Sequence, residues 1–318
     1  MERRDFLKTS AAGLVLSSTP LFNLACSTGP KKLSKIGVQT YSVRSLMSQD
    51  FEGTLAQIAE IGYDQLEFND YYGKTAQEVR SIIDGLGLTS PSNHAGGLNS
   101  EEGLARAIEA AKIIGHEYLI MASLPRPASS AQQQPPSGAQ QPPAAGTPQG
   151  GQTAQRQQPA EGQQTQRQAP TYTVDDVKMI TDTFNRIGEA CQKAGLGFAY
   201  HNHQSEFVQV EGGGMMFDMM LEGTDPNLVN FEMDLGWAVA AGADPLAYFE
   251  KYPGRFKLFH VKEADGAVPV GQGGLDFASI FAQSKLAGAK YYIVEFEGRE
   301  EQIAGITAGV QYLRNLTF

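Results

Sequence analysis

The sequence has little cysteine and a shortage of positive charge. Of its two cysteines, Cys26 lies near the amino terminus and Cys191 lies in a helical pattern, so we expect no disulfide framework and a small, buried, apolar role for Cys191. The chain has 25 Lys and Arg against 35 Asp and Glu. Because nucleic-acid affinity comes largely from basic side chains that neutralise phosphates, this balance argues against a DNA or RNA partner and favours a neutral, polar small molecule.

Two further absences narrow the fold. No G-x-G-x-x-G motif follows the first predicted strand, which removes the main argument for a dinucleotide-binding α/β fold. Residues 126–170 contain no Val, Ile, Leu, Met or aromatic residue. Such a segment cannot bury enough apolar surface to offset its ordering entropy, so we expect a disordered Gln/Pro-rich insertion there.

Residues 1–26 have the features of an export signal and are not expected to join the fold. A charged start, Arg3-Arg4-Asp5-Phe6-Leu7-Lys8, precedes an apolar stretch that begins at Ala11 and is too short to span a bilayer. The charged run resembles a twin-arginine signal, and Leu24-Ala25-Cys26-Ser27 resembles a lipoprotein box, although Asn23 replaces the usual aliphatic residue. These resemblances imply an exported protein, periplasmic or membrane-anchored through a lipid on Cys26, with ordinary signal cleavage as the alternative.

The rest of the chain repeats one unit, in which a helical pattern is followed by a glycine and then by a short apolar strand. Glycine is a natural helix stop because it adopts the left-handed conformation without a Cβ clash. The proposed stops are Gly62, Gly87, Gly115, Gly195 and Gly288. The eight predicted strands are Ile36–Tyr41, Gln65–Phe68, Thr89–Asn93, Tyr118–Met121, Gly197–Tyr200, Val229–Met233, Phe256–His260 and Tyr291–Phe296.

Strand–helix alternation predicts a parallel sheet, and eight units in roughly 250 residues favour closure into a single-domain (β/α)₈ TIM barrel. The barrel is expected to comprise residues 33–125 and 171–318, with the insertion after strand four. Chemistry in such a barrel lies where strands end and the following loops begin. The residues at those ends therefore decide the expected function.

Polar side chains concentrate at the predicted strand ends. Four of the five histidines lie there, whereas His116 falls between a helix-stopping glycine and a strand and is expected to be a solvated surface residue. Buried charge is costly unless it is paired or bound to a metal, so the alternatives are rim salt bridges or a metal site. The polar residues at or just past strand ends are Glu67, His94, His201, His203, Glu206, Asp234, His260 and Glu295.

Asp234, His260 and Glu295, at the ends of strands six, seven and eight, predict a metal site. One His with two or three carboxylates suits one divalent ion, Mn²⁺, Mg²⁺, Co²⁺ or Zn²⁺, and such an ion can hold adjacent sugar oxygens and polarise a carbonyl. Lys262 lies two residues past His260 and is expected to point the same way, either to stabilise an oxyanion or to pair with a rim carboxylate. Trp237 can stack on a sugar ring or fill the core.

Several blocks in order resemble the xylose-isomerase-like barrels known as sugar phosphate isomerases/epimerases. They cover nearly everything except the signal and the insertion. The blocks are Ile36-Gly37-Val38-Gln39-Thr40-Tyr41-Ser42-Val43-Arg44, Tyr200-His201-Asn202-His203 with Glu206-Phe207, Met233-Asp234-Leu235-Gly236-Trp237 with Ala241-Gly242-Ala243-Asp244-Pro245, Phe259-His260-Val261-Lys262-Glu263-Ala264-Asp265, Gly273-Gly274-Leu275-Asp276-Phe277 and Val294-Glu295-Phe296-Glu297.

The resemblance implies that Asp234, His260 and Glu295 are metal ligands. Relatives often carry a Glu where this chain has His201, so the fourth ligand is expected to be His201 itself or Glu206 from the following loop. Family epimerases move a proton between two metal-bound Glu, and one of that pair is absent here. An imidazole at this place, with His203 beside it, resembles the dehydratase and lyase branches, and exported relatives are linked with 3-keto-sugar breakdown.

We therefore expect a metal-dependent isomerase, epimerase or lyase that removes a proton next to the carbonyl of a sugar or keto-sugar. A non-catalytic sugar-binding lipoprotein is one alternative. An endonuclease IV-like phosphodiesterase is the other, against which stand the acidic charge, export and Trp237 in place of a ligand. The expected proton-exchanging residues are His203, Glu295 and Glu206, and the expected substrate-binding residues are Glu67, His94, Asn202, Trp237 and Lys262.

Overall fold

The computed structural model describes residues 30–125 and 172–318, and in this part the predicted (β/α)₈ TIM barrel is confirmed. Eight parallel strands close in the order β1 to β8. The predicted export signal and the predicted insertion at 126–170 lie outside the described residues. The strands are Gly37–Gln39 (β1), Gln65–Phe68 (β2), Thr89–His94 (β3), Tyr118–Met121 (β4), Gly197–His201 (β5), Val229–Asp234 (β6), Phe256–Val261 (β7) and Tyr291–Val294 (β8).

The strand predictions from sequence are correct in number and near-correct in bounds. The largest difference is at β1, predicted as Ile36–Tyr41, where the chain leaves the strand after Gln39 and makes a 3₁₀ turn over Thr40–Val43. The helices are Arg44–Met47 (α1), Phe51–Glu60 (α2), Ala76–Gly85 (α3), Glu101–Ile114 (α4), Val174–Lys193 (α5), Met216–Glu222 (α6), Leu235–Ala240 (α7), Pro245–Lys251 (α8), Phe277–Ala282 (α9), Ser284–Ala287 (α10) and Gln302–Asn315 (α11).

The predicted helix stops are confirmed by their backbone angles. All five glycines have positive φ, at 103° for Gly62, 69° for Gly87, 94° for Gly115, 81° for Gly195 and 87° for Gly288. Any other residue at these positions would have to adopt the left-handed conformation, which is strained for a residue with a Cβ. Each glycine therefore ends a helix and directs the chain into the next strand.

The barrel interior has an apolar layer below a polar one. Ile120, Ala199, Leu258 and Ile293, with Tyr118, form a small buried cluster separate from the large core between sheet and helices. Two residues further along β5 and β7 the inward side chains are His201 and His260. The polar layer at the carboxyl ends of the strands consists of Gln39, Glu67, His94, His201, Glu232, Asp234 and His260.

The predictions for Cys191 and His116 have different outcomes. Cys191 is fully buried on α5, as expected. The prediction that His116 is a solvated surface residue is wrong: only 4% of it is exposed, because its Nδ1 donates to the Ser90 carbonyl and its Nε2 accepts from the Tyr71 hydroxyl, both at 2.9 Å. Within residues 30–125 and 172–318, none of the helices is both long and apolar enough to cross a membrane.

Candidate metal and acid–base site

The barrel brings the four predicted metal ligands together. His201, Asp234, His260 and Glu295 each present one nitrogen or oxygen atom, and these atoms all lie within 4.8 Å of one another. Strand register produces this convergence, since Asp234 pairs with His260 between β6 and β7. All four residues are buried. Of the two sequence candidates for the fourth ligand, the structure therefore places His201 in the group.

Asp234 is held by its neighbours so that one oxygen remains without a donor. It ends β6 and caps α7, where its Oδ1 accepts from the Trp237 amide at 2.8 Å. Its Oδ2 is buried and has no hydrogen-bond partner. Burial raises the pKa of this carboxyl to about 7, more than the opposing effect of Lys262. A buried carboxylate oxygen facing two imidazoles and a second carboxylate fits a divalent cation, which would supply the missing positive charge.

Asn202 directly follows β5 and contacts protein on both ends of its amide. Its Oδ1 accepts from the Asp234 amide at 3.1 Å, and its Nδ2 donates to the Asp234 carbonyl at 3.3 Å. The side chain is fully buried. The sequence predicts substrate binding for Asn202, whereas the observed contacts fix the backbone of Asp234.

Glu67, also predicted to bind substrate, is fully buried at the base of the site. Its Oε1 accepts from Gln39 Nε2 and from His260 Nε2, both at 2.7 Å, and its Oε2 accepts from the Ser92 hydroxyl at 2.5 Å. Although burial raises the pKa of this carboxyl, His94 and His260 lower it well below its usual range. Glu67 is therefore an ionised group enclosed by protein donors.

Glu232 belongs to the site and was missed in the sequence. It lies two residues before Asp234 on β6, so strand alternation directs both side chains into the barrel. Its Oε2 lies 3.0 Å from His94 Nε2, 3.1 Å from His201 Nδ1 and 3.2 Å from His260 Nε2, and its Oε1 is buried without a partner. Burial and the charge of Glu67 raise the pKa of Glu232 to about 7. The i, i+2 spacing from Asp234 was the available signal.

His94 connects the two buried carboxylates. Its Nε2 lies 2.9 Å from Glu67 Oε1 and 3.0 Å from Glu232 Oε2. Burial lowers the pKa of His94, but these two carboxylates outweigh it and raise the pKa to about 9. The side chain is 15% exposed. Predicted as a substrate-binding residue, His94 also partly neutralises the carboxylate pair.

At the barrel mouth, His203 lies half-buried beside the metal-ligand group. Its ring centroid is 4.8 Å from that of His201 and 6.4 Å from that of Trp237. Burial lowers the pKa of His203 to about 4, so the imidazole is neutral at neutral pH. Trp237 is partly exposed, and its Nε1 is a buried donor without a partner.

Lys262 makes the rim pairing that the sequence left as one of two alternatives. Its Nζ donates to Glu297 Oε1 at 2.6 Å and to Glu295 Oε2 at 3.3 Å, and lies 3.7 Å from Asp234 Oδ2. The same atom lies 4.1 Å from the Trp237 ring centroid. Only 1% of the Lys262 side chain is exposed. A role in stabilising an oxyanion stays a prediction.

Glu206 contributes to its own loop and lies outside the metal-ligand group. Its carboxylate accepts from the His203 amide and from the Ser205 hydroxyl. It lies in a 3₁₀ turn, Gln204–Glu206, that follows β5. Its predicted part in proton exchange would therefore act through His203, whose backbone it holds.

The chain is similar to known proteins in sequence and in fold. Residues 55–316 match the family described as xylose isomerase-like TIM barrel. A sugar phosphate isomerase/epimerase from Parabacteroides distasonis is 27% identical, with a TM-score of 0.68 over 93% of this chain and 98% of that one. A 3-keto-D-glucoside 4-epimerase from E. coli is 15% identical with a TM-score of 0.59 over 90% of this chain and 100% of that one, a likeness of fold.

The curated relatives match over a shorter segment. Inosose dehydratase 2 from Bacillus cereus is 31% identical over 94 residues. These residues are 30% of this chain and 30% of the dehydratase, so the chain aligns with less than a third of that relative's length.

Proposed function

Since this chain belongs to the xylose isomerase-like TIM barrel family, we propose that it is a divalent-metal-dependent enzyme acting on a sugar or keto-sugar. The reaction is isomerisation, epimerisation or elimination, begun by removal of a proton from the carbon next to a carbonyl. The observation that carries the proposal is the convergence of His201, Asp234, His260 and Glu295 within 4.8 Å at the strand ends. The unpaired, buried Oδ2 of Asp234 supports it further.

Some residues of the chain would hold the ion, and others would transfer the proton. When bound, the divalent ion would polarise the substrate carbonyl and so acidify the neighbouring C–H bond. His203 lies at the mouth beside His201 and presents an imidazole that can accept that proton. Return of the proton to carbon gives an isomer or epimer, whereas its delivery to an oxygen on the next carbon gives elimination. Trp237 is partly exposed at the mouth and offers a ring on which a sugar can stack, and Lys262 Nζ lies 4.1 Å from the centroid of that ring.

Among these outcomes we favour elimination. The Glu that family epimerases use in proton exchange is replaced here by His201. The likeness to inosose dehydratase, a protein named for removal of water from an inosose, supports the same reaction class. The expected substrates are therefore cyclic ketones with a leaving oxygen β to the carbonyl, including 3-keto-glucosides.

Measurement of bound metal tests whether the protein binds a divalent ion at the proposed site. Purified wild-type protein and an Asp234→Ala/His260→Ala double variant would be loaded with Mn²⁺, Co²⁺ or Zn²⁺, dialysed and analysed for bound metal. We expect about one ion in the wild type and a strong loss in the variant. Asp182→Ala, which removes a carboxylate 62% exposed on α5, is the control and should keep the wild-type content. Equal metal content in all three proteins would contradict the assignment.

Proton exchange tests the chemistry. The loaded protein would be incubated in D₂O with 3-keto-glucosides, inososes and ordinary ketoses, and products followed by NMR. An enzyme of the proposed kind incorporates deuterium next to the carbonyl or releases an eliminated product. Binding of these ligands with no exchange would instead support a sugar-binding barrel without turnover.

Localisation is part of the proposal. We propose that the chain is exported through a twin-arginine signal. It would then reach the periplasm or be anchored to a membrane by a lipid on Cys26. Fractionation of cells expressing the wild type, an Arg3→Lys/Arg4→Lys variant and a Cys26→Ala variant tests both steps. Export should fail in the first variant, and membrane association should fail in the second.

A further inference from the structure

The two histidines of the metal-ligand group each have two ring nitrogens, and only an unprotonated nitrogen can bind a cation. The position of the proton is decided by what the other nitrogen contacts. Two buried carboxylates outside the group, Glu67 and Glu232, make those contacts.

For His201 the contact is with Glu232. His201 Nδ1 lies 3.1 Å from Glu232 Oε2. Because the carboxylate oxygen accepts, Nδ1 carries the proton. The unprotonated nitrogen is then Nε2, which lies 4.0 Å from Asp234 Oδ2. The lone pair of His201 therefore faces the metal-ligand group.

In His260 the other ring nitrogen, Nε2, donates to a carboxylate. His260 Nε2 donates to Glu67 Oε1 at 2.7 Å. Its Nδ1 lies 3.3 Å from Glu295 Oε2 and 3.9 Å from Asp234 Oδ2, and the proton that Nδ1 shares with Glu295 is the one that a bound cation would displace. With a cation bound, opposite tautomers of the two histidines would aim both lone pairs towards Asp234.

We infer that Glu67 and Glu232 are positioning residues that fix His201 as the Nδ1–H tautomer and His260 as the Nε2–H tautomer for metal binding. The inference rests on the proposed function for the presence of the ion. The proton positions themselves can be measured separately.

A second group of side chains could also hold a metal ion. His94, His201, Glu232 and His260 also present ligand atoms within 4.8 Å of one another. An ion there would use the faces of His201 and His260 that now contact carboxylates. An ion at that place would displace the ring protons that Glu232 Oε2 accepts from His94 Nε2 at 3.0 Å and from His201 Nδ1 at 3.1 Å. The histidine nitrogens that face Glu67 and Glu232 carry protons, and the opposite nitrogens would hold the ion beside Asp234.

The experiment is NMR of protein with ¹⁵N-labelled histidine, loaded with diamagnetic Zn²⁺. Nitrogen shifts and long-range proton couplings report which ring nitrogen is protonated. We expect a proton on Nδ1 of His201 and on Nε2 of His260, with Zn²⁺ on the opposite nitrogens. Zn²⁺ bound to the Nδ1 of His201 or the Nε2 of His260 would overturn the inference. Absence of Zn²⁺ binding would instead count against the proposed function.

Variants separate positioning from general stability. Glu232→Leu removes the acceptor and should weaken Zn²⁺ binding about 10- to 100-fold, with loss of the single His201 tautomer. Glu232→Gln retains one acceptor oxygen and should restore the tautomer and most of the affinity. A folded Glu232→Leu protein with wild-type tautomer and affinity would refute the role, and the wild-type spectrum decides the matter if that variant does not fold.

Glu263→Leu is the matched control. Glu263 is another fully buried carboxylate, but it accepts from the amides of Gly271 and Leu275 in the loop after β7. Its loss should lower the free energy of unfolding and leave the histidine tautomers and Zn²⁺ affinity unchanged. An equal effect of both Leu variants on tautomer and affinity would show that buried-carboxylate loss in general, and not positioning, is responsible.

Discussion

His201 and Glu232 face each other in register across β5 and β6, with Nδ1 3.1 Å from Oε2. Neither residue is more than 2% exposed. A buried imidazole and a buried carboxylate are costly without partners, and the parallel register lets Nδ1 and Oε2 partner each other, whereas Glu232 Oε1 has no partner. The polar layer of this barrel is therefore a connected network built by strand pairing, from which Asp234 Oδ2 is left unpaired.

That unpaired oxygen predicts opposite effects of Asp234→Asn with and without metal. Without metal, the neutral amide avoids a buried charge, and the free energy of unfolding should rise by about 1 to 3 kcal/mol. With saturating Zn²⁺ the variant should be the less stable protein, because it loses most of the binding energy that the ion adds to the native state. Urea unfolding of the wild type and the variant, each with chelator and with Zn²⁺, measures the four free energies of unfolding. A difference between the two proteins that has the same sign under both conditions would contradict a metal role for Asp234.

His116 predicts a loss of stability in acid. Burial lowers its pKa to about 4 in the folded protein, below the ordinary value of 6.5. Neutral His116 thus stabilises the fold fully above pH 6.5, and that contribution is lost as pH falls towards 4, because the unfolded chain binds the proton more tightly. The loss from this group is about 2 to 3 kcal/mol.

His116→Gln isolates that contribution. The variant should be less stable than the wild type at pH 7, because the pairing with Tyr71 and Ser90 is disturbed. The difference should shrink as pH falls from 6.5 to 4. Urea unfolding at half-unit pH steps gives the comparison, and a difference independent of pH would show that His116 does not titrate as its burial requires.

Sequence patterns were sufficient for the fold and for part of the site. Glycine stops, short apolar strands and polar strand ends predicted the eight strands and the convergence of Asp234, His260 and Glu295, because these features are local in the chain. The contact of Glu67 on β2 with His260 on β7 could not be predicted, since closure of the barrel sets the distance between these strands, and the contact of Asn202 with Asp234 depends on the register between β5 and β6.

The error at His116 has the same origin. Beside a helix-stopping glycine it has the local context of a surface residue, and contacts with Phe68, Tyr71 and Ser90, which are distant in the chain, bury it. Glu232 is different, because its i, i+2 spacing from Asp234 was visible in the sequence and implied a shared face.

His203→Gln tests the proposed base. The substitution removes a titratable nitrogen at the mouth but leaves the four proposed metal ligands in place. Turnover of the best keto-sugar should fall about 10²- to 10⁴-fold, the usual contribution of general acid–base catalysis, while Zn²⁺ content stays at the wild-type level. Steady-state kinetics and metal analysis on the same preparation measure both. Retained turnover would remove His203 from the mechanism, and loss of metal would indicate a structural effect.

Lys262→Met separates the two roles that the sequence left open. Its ammonium lies 3.3 Å from Glu295 Oε2 and 3.7 Å from Asp234 Oδ2, so its positive charge competes with a bound cation for the same carboxylates. Removal of that charge should tighten Zn²⁺ binding on the order of 10-fold, since like charges at this distance repel. If Lys262 also stabilises a developing oxyanion, turnover should fall even as the metal binds more tightly. Titration calorimetry and kinetics give the two quantities, with Lys251→Met, an exposed lysine paired with Asp218, as control. Tighter metal binding with unchanged turnover would leave Lys262 as a rim ion pair alone.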